Sequence, residues 1–302
     1  MAHLSRQARE VLKKYWGYDS FRPLQEDIIL SILQNKDTLA LLPTGGGKSI
    51  CFQVPALVKE GVCIVVSPLI ALMNDQVENL KKHGIKAVAI HSGMSERETQ
   101  NAFENCLYGN YKFLYLSPER LATQKFREYL KQLNISFIAI DEAHCISQWG
   151  YDFRPPYLKI AEVRDILHYH VPFLALTATA TPKVVTDIQE KLKFKKQNVF
   201  QKSFERKNLA YIVLQEEDKL NRTLQILEKI KGCGIIYARS RKETEKLAKF
   251  LKSNRISADF YHAGLSSEMR EKKQADWIND KTRIMVATNA FGMGIDKPDV
   301  RI

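Results

Sequence analysis

Apolar side chains fall into two alternating patterns along this chain. Short, nearly continuous apolar runs rich in β-branched residues predict buried strands. Longer stretches with apolar positions every three or four residues predict amphipathic helices. Strands are expected at Thr38–Leu42, Val62–Val66, Ala87–Ile90, Phe113–Leu116, Phe137–Ile140 and Phe173–Leu176. Helices are expected at Ser5–Trp16, Ile50–Val58, Leu69–Lys82, Glu96–Leu107, Lys125–Gln132 and Pro182–Leu192. Another helix is expected within residues 18–33, capped by Asp19 or Ser20, with Pro23 in its first turn. Such alternation argues for an α/β fold, a mostly parallel sheet covered by helices on both faces.

The alternation breaks at the basic segment KFKKQNVFQKSFERKN, residues 193–208, so a domain boundary is expected near Phe204. This gives domains of residues 1–204 and 205–302. In the second, strands are expected at Leu209–Leu214, Gly234–Tyr237, Asp259–His262 and Ile284–Ala287. Helices are expected at Lys219–Lys231, in the capped stretch ARSRKETEKLAKFL, and in a segment running through Asn279. The two halves read as distant copies of one strand–helix repeat.

Three stretches carry candidate chemistry. In LLPTGGGKS, residues 41–49, Thr44, Gly45, Gly46 and Gly47 join a strand to a helix. Backbone N–H groups of such a turn, backed by a helix N-terminus, cradle phosphate oxygens. Lys48 would reach the outer phosphates and Ser49 would offer its hydroxyl to Mg2+. The first glycine of the usual G-x-x-x-x-G-K-[ST] pattern is Leu42 here. The plain alternative is a glycine-rich turn with a surface lysine. The second stretch, DEAH at residues 141–144, directly follows a strand. Asp141 would hold Mg2+, through water, and Glu142 would deprotonate a water attacking a terminal phosphate. The plain alternative is a helix cap with an acidic first turn. The third stretch is CISQWGYDFRPPY, residues 145–157. Its Trp149, Tyr151, Phe153 and Arg154 are the side chains on which unstacked bases sit. Local core packing is the alternative for Phe153 and Tyr157.

Smaller signals accompany these. Gln25 can form two hydrogen bonds to the amino and ring-nitrogen edge of adenine, and Tyr18 and Arg22 could stack on the base. A packed helix entry is the alternative for all three. In LTATAT, residues 176–181, the Thr177 and Thr179 hydroxyls either relay between the phosphate site and a second domain or end a strand and cap the next helix.

Composition narrows the class. The 302 residues are 45% hydrophobic and 26% charged, as in a globular protein, with a net charge of +12. That surplus favours a polyanionic partner such as nucleic acid, or an acidic membrane face. No apolar run approaches the roughly 18 residues of a membrane span, and the N-terminus has no signal-peptide core, so no membrane partner is expected and an intracellular place is. Cys51, Cys63, Cys106, Cys145 and Cys233 form no C-x-x-C pair, so neither a disulfide framework nor zinc is expected. His168 and His170 read as surface residues.

Taken together, YWGYDSFRPLQ, LLPTGGGKS, VSPLIALMNDQ, SPERL, IDEAHCISQWGYDFRP, ALTATA, GIIYARS, YHAGL and ATNAFGMGIDKPDVR resemble the RecQ family of DNA helicases, in helicase superfamily 2. The resemblance covers essentially the whole chain in order, and the aromatic loop after DEAH is its distinguishing feature. It implies two RecA-like domains with ATP and Mg2+ between them. It also implies 3′-to-5′ movement on single-stranded and partly duplex DNA, in recombination and repair, in the cytoplasm or nucleoid. By that resemblance Tyr18, Arg22 and Gln25 form the adenine pocket. Thr44 to Ser49 hold the phosphates and Mg2+, and Lys48, Asp141 and Glu142 are catalytic. Trp149, Phe153 and Arg154 engage DNA, while His144, Thr177 and Thr179 couple it to ATP. Thr288 contacts the nucleic-acid backbone, and Asp296 senses the ribose.

One departure stands out. Family members carry a Q-E-x-G-R-x-G-R segment whose arginines reach the terminal phosphate. No such run occurs in these residues, which stop at Arg301-Ile302 as another strand begins. The expectation is a second domain incomplete at its C-terminus, which binds ATP–Mg2+ and DNA but hydrolyses slowly. The competing readings are an ATP-gated nucleic-acid binding fragment that does not unwind, and an RNA-directed helicase. A nucleotide kinase is disfavoured because no segment for a second-substrate lid lies between the motifs.

Overall fold

Strands buried on both faces read as nearly continuous apolar runs, and Val62–Val66 and Phe113–Leu116 are apolar and buried at every position. The computed structural model describes every residue except 44, 92, 122, 151, 168, 204–207, 293, 294 and 296, and the backbone alone of Ser267. Two compact units emerge, residues 1–206 and 207–302. The expected boundary at residue 204 lies outside the described residues, as does His168.

The first unit contains β1 (Thr38–Leu41), β2 (Val62–Val66), β3 (Ala87–Ile90), β4 (Phe113–Leu116), β5 (Ile135–Ile140), β6 (Phe173–Thr177) and β7 (Val199–Gln201). They form one parallel sheet in the order β3-β4-β2-β5-β6-β1-β7. Side chains alternate between its faces. From β2, Val62, Ile64 and Val66 enter one core with Phe103, Leu130 and Ile188 from the helices Glu96–Tyr108, Gln124–Leu130 and Pro182–Lys191. Cys63 and Val65 enter the other, with Ile28, Phe52 and Val77 from the helices Gln25–Leu33, Lys48–Val58 and Ile70–Lys82.

The second unit has a smaller parallel sheet of β8 (Gly234–Tyr237), β9 (Ala258–Tyr261) and β10 (Ile284–Ala287), in the order β8-β10-β9. The helices Lys219–Lys229 and Arg241–Ser253 cover one face, and Ser267–Ile278, through fully buried Trp277, covers the other. Ser240 and Glu243 close a reciprocal capping box at the start of Arg241–Ser253.

Three expectations are corrected. Residues 209–214 form no strand; Tyr211, Ile212 and Val213 stand exposed. Their apolar, β-branched make-up suits a pleated surface, but a strand also needs a ladder partner. The free edge of β8 is instead taken by residues 300–302: Arg301 N–H donates to Cys233 O and Ile235 N–H to Ile302 O. Conversely, β7 lies in the basic stretch read as a break, because as an edge strand it is half exposed and lacks a continuous apolar run. Finally, the helix expected from Asp19 or Ser20 begins only at Gln25, after Leu24 in the left-handed region at φ 69°. Pro23 lies before that helix and Asp19 pairs with Lys13 at 2.5 Å.

A buried charge locks the end of the sheet opposite the motifs. Asp37, just before β1, accepts from Arg164 Nη2 at 2.8 Å, from Phe173 N–H at 2.9 Å and from Lys195 N–H at 3.2 Å. Its side chain is 2% exposed and that of Arg164 13%. Removing one member of such a pair strands the other charge, which costs about 3–5 kcal/mol. Asp37→Ala is therefore expected to move the urea midpoint of the first unit's unfolding, followed by circular dichroism, to much lower urea; an unchanged midpoint would contradict this account.

Candidate active site

In a parallel sheet every strand points the same way, so loops leaving neighbouring strands converge at the carboxyl edge. Here that edge runs β2, β5, β6, β1. It therefore juxtaposes Ser67-Pro68, the DEAH turn, the Thr177–Thr179 turn and the glycine-rich loop. The ends of β1 and β5 are two strand spacings apart, about 10 Å, a gap that a lysine side chain can largely bridge.

Gly47 caps the helix Lys48–Val58 at φ 76°, and no side chain caps it, so its first N–H groups stay available to an anion. A Cβ at Gly47 would collide with Gln25 Nε2. Lys48 makes no hydrogen bond or ion pair with any described residue, and Ser49 follows in the first turn. Thr44 lies outside the described residues. Gln25 is 3% exposed. Its Oε1 accepts from Arg22 N–H at 2.9 Å, and its Nε2 donates to Gly47 O at 3.1 Å. Arg22 Nη1 donates to Gly45 O at 2.6 Å. Gln25 and Arg22 thus hold the loop itself, and a purine could engage Gln25 only by exchanging these bonds. Tyr18 is 55% exposed beside them in sequence.

Asp141 and Glu142 sit where β5 ends. Asp141 N–H donates to Val66 O at 2.8 Å, and Asp141 Oδ1 accepts from Glu142 N–H at 3.0 Å. Burial, then the neighbouring Glu142 charge, raises the Asp141 pKa to about 6, while Lys48 draws it down. Burial also opposes ionisation of Glu142, but the hydrogen bond from His144 and the charge of Lys48 outweigh it and hold its pKa below the ordinary value. Glu142 occupies the left-handed region at φ 46°, an uncommon conformation for a branched or long side chain. His144 Nδ1 lies 3.3 Å from Glu142 Oε2 and 3.0 Å from Thr177 Oγ1, and Thr177 Oγ1 donates to Thr179 O at 3.0 Å. One buried imidazole thereby joins the DEAH turn to the Thr177–Thr179 turn.

An ammonium with no direct partner among the described residues, an uncapped helix N-terminus and two crowded carboxylates suit Mg2+ and a phosphorylated ligand together. Ser49 and Asp141 are the residues that would hold the metal.

The aromatic loop divides its roles. Trp149 is 61% exposed, with Lys183 Nζ 3.1 Å from its ring centroid. Phe153 is half-buried, with Lys191 Nζ 6.0 Å from its ring. Tyr151 lies outside the described residues. Arg154 is tied to Asp152 Oδ2 through Nε at 3.3 Å and Nη2 at 3.2 Å, and donates to Pro68 O at 3.2 Å. Tyr157 is fully buried, and its hydroxyl donates to Asp141 O at 3.0 Å. Sequence reading missed this support because a core tyrosine carries no chemical signature. It also missed Asp152, whose partners come from folding. In the second unit Thr288 ends β10, donating its N–H to Tyr261 O at 3.1 Å; Asp296 lies outside the described residues.

The family profile for DEAD/DEAH box helicases matches residues 22–188, and that for the helicase conserved C-terminal domain matches residues 217–302. The chain is 43% identical over 296 residues to the ATP-dependent DNA helicase RecQ of Bacillus subtilis, covering 97% of this chain and 50% of that protein. It is 45% identical over 298 residues to the probable ATP-dependent DNA helicase RecS of the same organism, covering 97% and 60%. The structure of Mycobacterium smegmatis helicase Lhr bound to ssDNA and AMP-PNP is similar with a TM-score of 0.70 at 20% identity, covering 99% of this chain and 43% of that one. That likeness shows the fold, two RecA-like units with helix-flanked parallel sheets. The chain belongs to the DEAD/DEAH box helicase family and, within it, to the RecQ helicases. It spans about half the length of the curated relatives it matches.

The charge balance yields a pH prediction. The Asp141 carboxyl is protonated in both folded and unfolded chains below about pH 4. Above about pH 6 it is ionised in both, and the folded state then bears the full cost of the raised pKa. Asp141→Asn is therefore expected to raise the melting temperature in metal-free buffer at about pH 7.5, with the gain shrinking as pH falls toward 5. Thermal melts of both proteins in chelator check this; a gain independent of pH contradicts it.

Proposed function

We infer that this chain is the motor part of an ATP-dependent DNA helicase, acting inside the cell on single-stranded and partly duplex DNA. The observation that supports this most is the meeting of Lys48, Asp141 and Glu142 at one sheet edge, with the exposed Trp149 on the loop that follows. Relatives named as ATP-dependent DNA helicases support it further. In this reading the backbone of residues 44–49 and the Lys48 ammonium carry the phosphates of ATP, and Tyr18, Arg22 and Gln25 receive the adenine. Ser49 and Asp141 would hold Mg2+, which would supply charge neutralisation to the phosphates. Glu142 accepts a proton from the water that attacks the terminal phosphorus. The new P–O bond forms as the bridging bond breaks, and ADP leaves. His144 keeps Glu142 ionised and relates its position to Thr177 and Thr179. Trp149 and Phe153 offer ring faces to bases, Arg154 and Thr288 contact the strand, and Asp296 meets the ribose.

Movement is 3′ to 5′ in this reading, in recombination and repair. The 302 residues contain no Gly-Arg-x-Gly-Arg run. Taken alone they are expected to turn ATP over slowly, because an arginine at the terminal phosphate is worth about 10³–10⁵ in rate in other phosphoryl-transfer enzymes. Turnover equal to that of a relative containing the run would contradict this, whereas ATP-dependent DNA binding without strand separation is the outcome favouring a non-unwinding binding fragment.

Three substitutions test the reading further. Glu142→Gln is expected to lower DNA-stimulated ATP hydrolysis by about 10²–10⁴ while ATP binding persists, and Lys48→Ala to abolish the response of DNA binding to ATP. If DNA binding responds to ATP alike in Lys48→Ala and the parent, the nucleotide site lies elsewhere. Trp149→Ala is expected to weaken single-stranded DNA binding by about 1–3 kcal/mol, read by fluorescence anisotropy at fixed salt. Comparison with RNA of the same sequence separates the DNA reading from the RNA one.

A further inference from the structure

Behind the DEAH turn, three donors of different hardness face one another. Cys145 Sγ lies 3.9 Å from His144 Nε2 and 3.7 Å from Asp152 Oδ2, and all three ligand atoms fall within 4.8 Å of one another. His144 and Cys145 are buried and Asp152 is half-buried. We propose that His144, Cys145 and Asp152 form a binding site for a borderline-soft divalent cation of the Zn2+ type, distinct from the Mg2+ site at Ser49 and Asp141.

Geometry supports it first. A tetrahedral ion with a bond of about 2.3 Å to sulfur and about 2.0 Å to nitrogen or oxygen sets those ligands about 3.5 Å apart. Both sulfur separations are within about 0.5 Å of that. The His144 and Asp152 ligand atoms lie within 4.8 Å of one another, and a rotation of the half-exposed Asp152 side chain would bring them closer. The second shell is also in place. A metal-binding imidazole ordinarily donates its other N–H to a carboxylate or similar acceptor, and His144 Nδ1 already faces Glu142 Oε2 and Thr177 Oγ1. The donor set, one sulfur, one imidazole and one carboxylate, favours Zn2+ over Mg2+. No C-x-x-C spacing marks this site in the sequence, since its ligands are two neighbours in a turn plus one residue from the following loop.

A ligating cysteine binds as its thiolate, so binding releases the Cys145 proton to solvent. Arg154 competes for Asp152 through its ion pair. Ion and guanidinium therefore exclude each other there. The ion would tie the aromatic loop to the DEAH turn and free Arg154 from Asp152; this consequence rests on the helicase reading, whereas the binding does not.

The test uses the whole chain, without nucleotide or DNA, in excess Mg2+, with Co2+ and Zn2+ as probes. One Co2+ per chain is expected, with a thiolate-to-metal charge-transfer band displaced by Zn2+. Cys145→Ser should remove the band, Asp152→Asn should weaken affinity at least tenfold, and Arg154→Ala should tighten it. Absence of the band, its survival in Cys145→Ser, or Arg154→Ala binding no tighter than the parent would overturn the proposal. None of these readouts depends on ATP turnover, so failure here is separable from failure of the helicase reading.

Discussion

The chemistry of the first unit depends on a charge imbalance. Two adjacent carboxylates, Asp141 and Glu142, are held at the end of a buried strand, and Lys48 is the cation that draws both toward ionisation. The imbalance is not fully relieved: burial and the Glu142 charge still raise Asp141 to about 6. A site with a residual negative excess at one side and, at the other, an ammonium that makes no hydrogen bond or ion pair among the described residues is suited to receive a cation and an anion together. Metal and phosphate would each settle the charge that the other leaves.

This tension survives only because the surroundings are stiff. β5 is buried along its length, so the DEAH turn cannot drift outward. Tyr157 fixes the Asp141 carbonyl from the core, and Glu142 is held in a left-handed conformation that an isolated turn would abandon. On the opposite side Gln25 and Arg22 grip the carbonyls of the glycine-rich loop. The loop is thus preformed, and its amides are left for a ligand.

The same stiffness gives the site its connections. His144 reaches Glu142 on one side and Thr177 on the other, so the ends of β5 and β6 share one hydrogen-bonded unit. Arg154 links the aromatic loop to Pro68 beyond β2. Arg154 N–H also donates to Cys145 O, so the aromatic loop is tied to the ends of both β2 and β5.

Most strands could be read from the chain because their residues are largely apolar and buried, and the DEAH and glycine-rich motifs because their chemistry demands particular residue types in close sequence. Where burial was partial, the reading faltered: β7 was missed as a half-exposed edge, and residues 209–214 looked like a strand but have no ladder partner among the described residues. Side chains whose role comes from a distant neighbour were beyond local pattern altogether. Gln25 is a clamp on Gly47, Tyr157 a prop for Asp141, and Asp152 a partner of both Arg154 and Cys145 only once the sheet has brought their strand ends together. Local sequence determined which segments could be strands and which groups could hold phosphate. The parallel stacking of β2, β5, β6 and β1 decided which of those groups meet, since hydrogen-bonded register, not sequence distance, sets the spacing at the carboxyl edge.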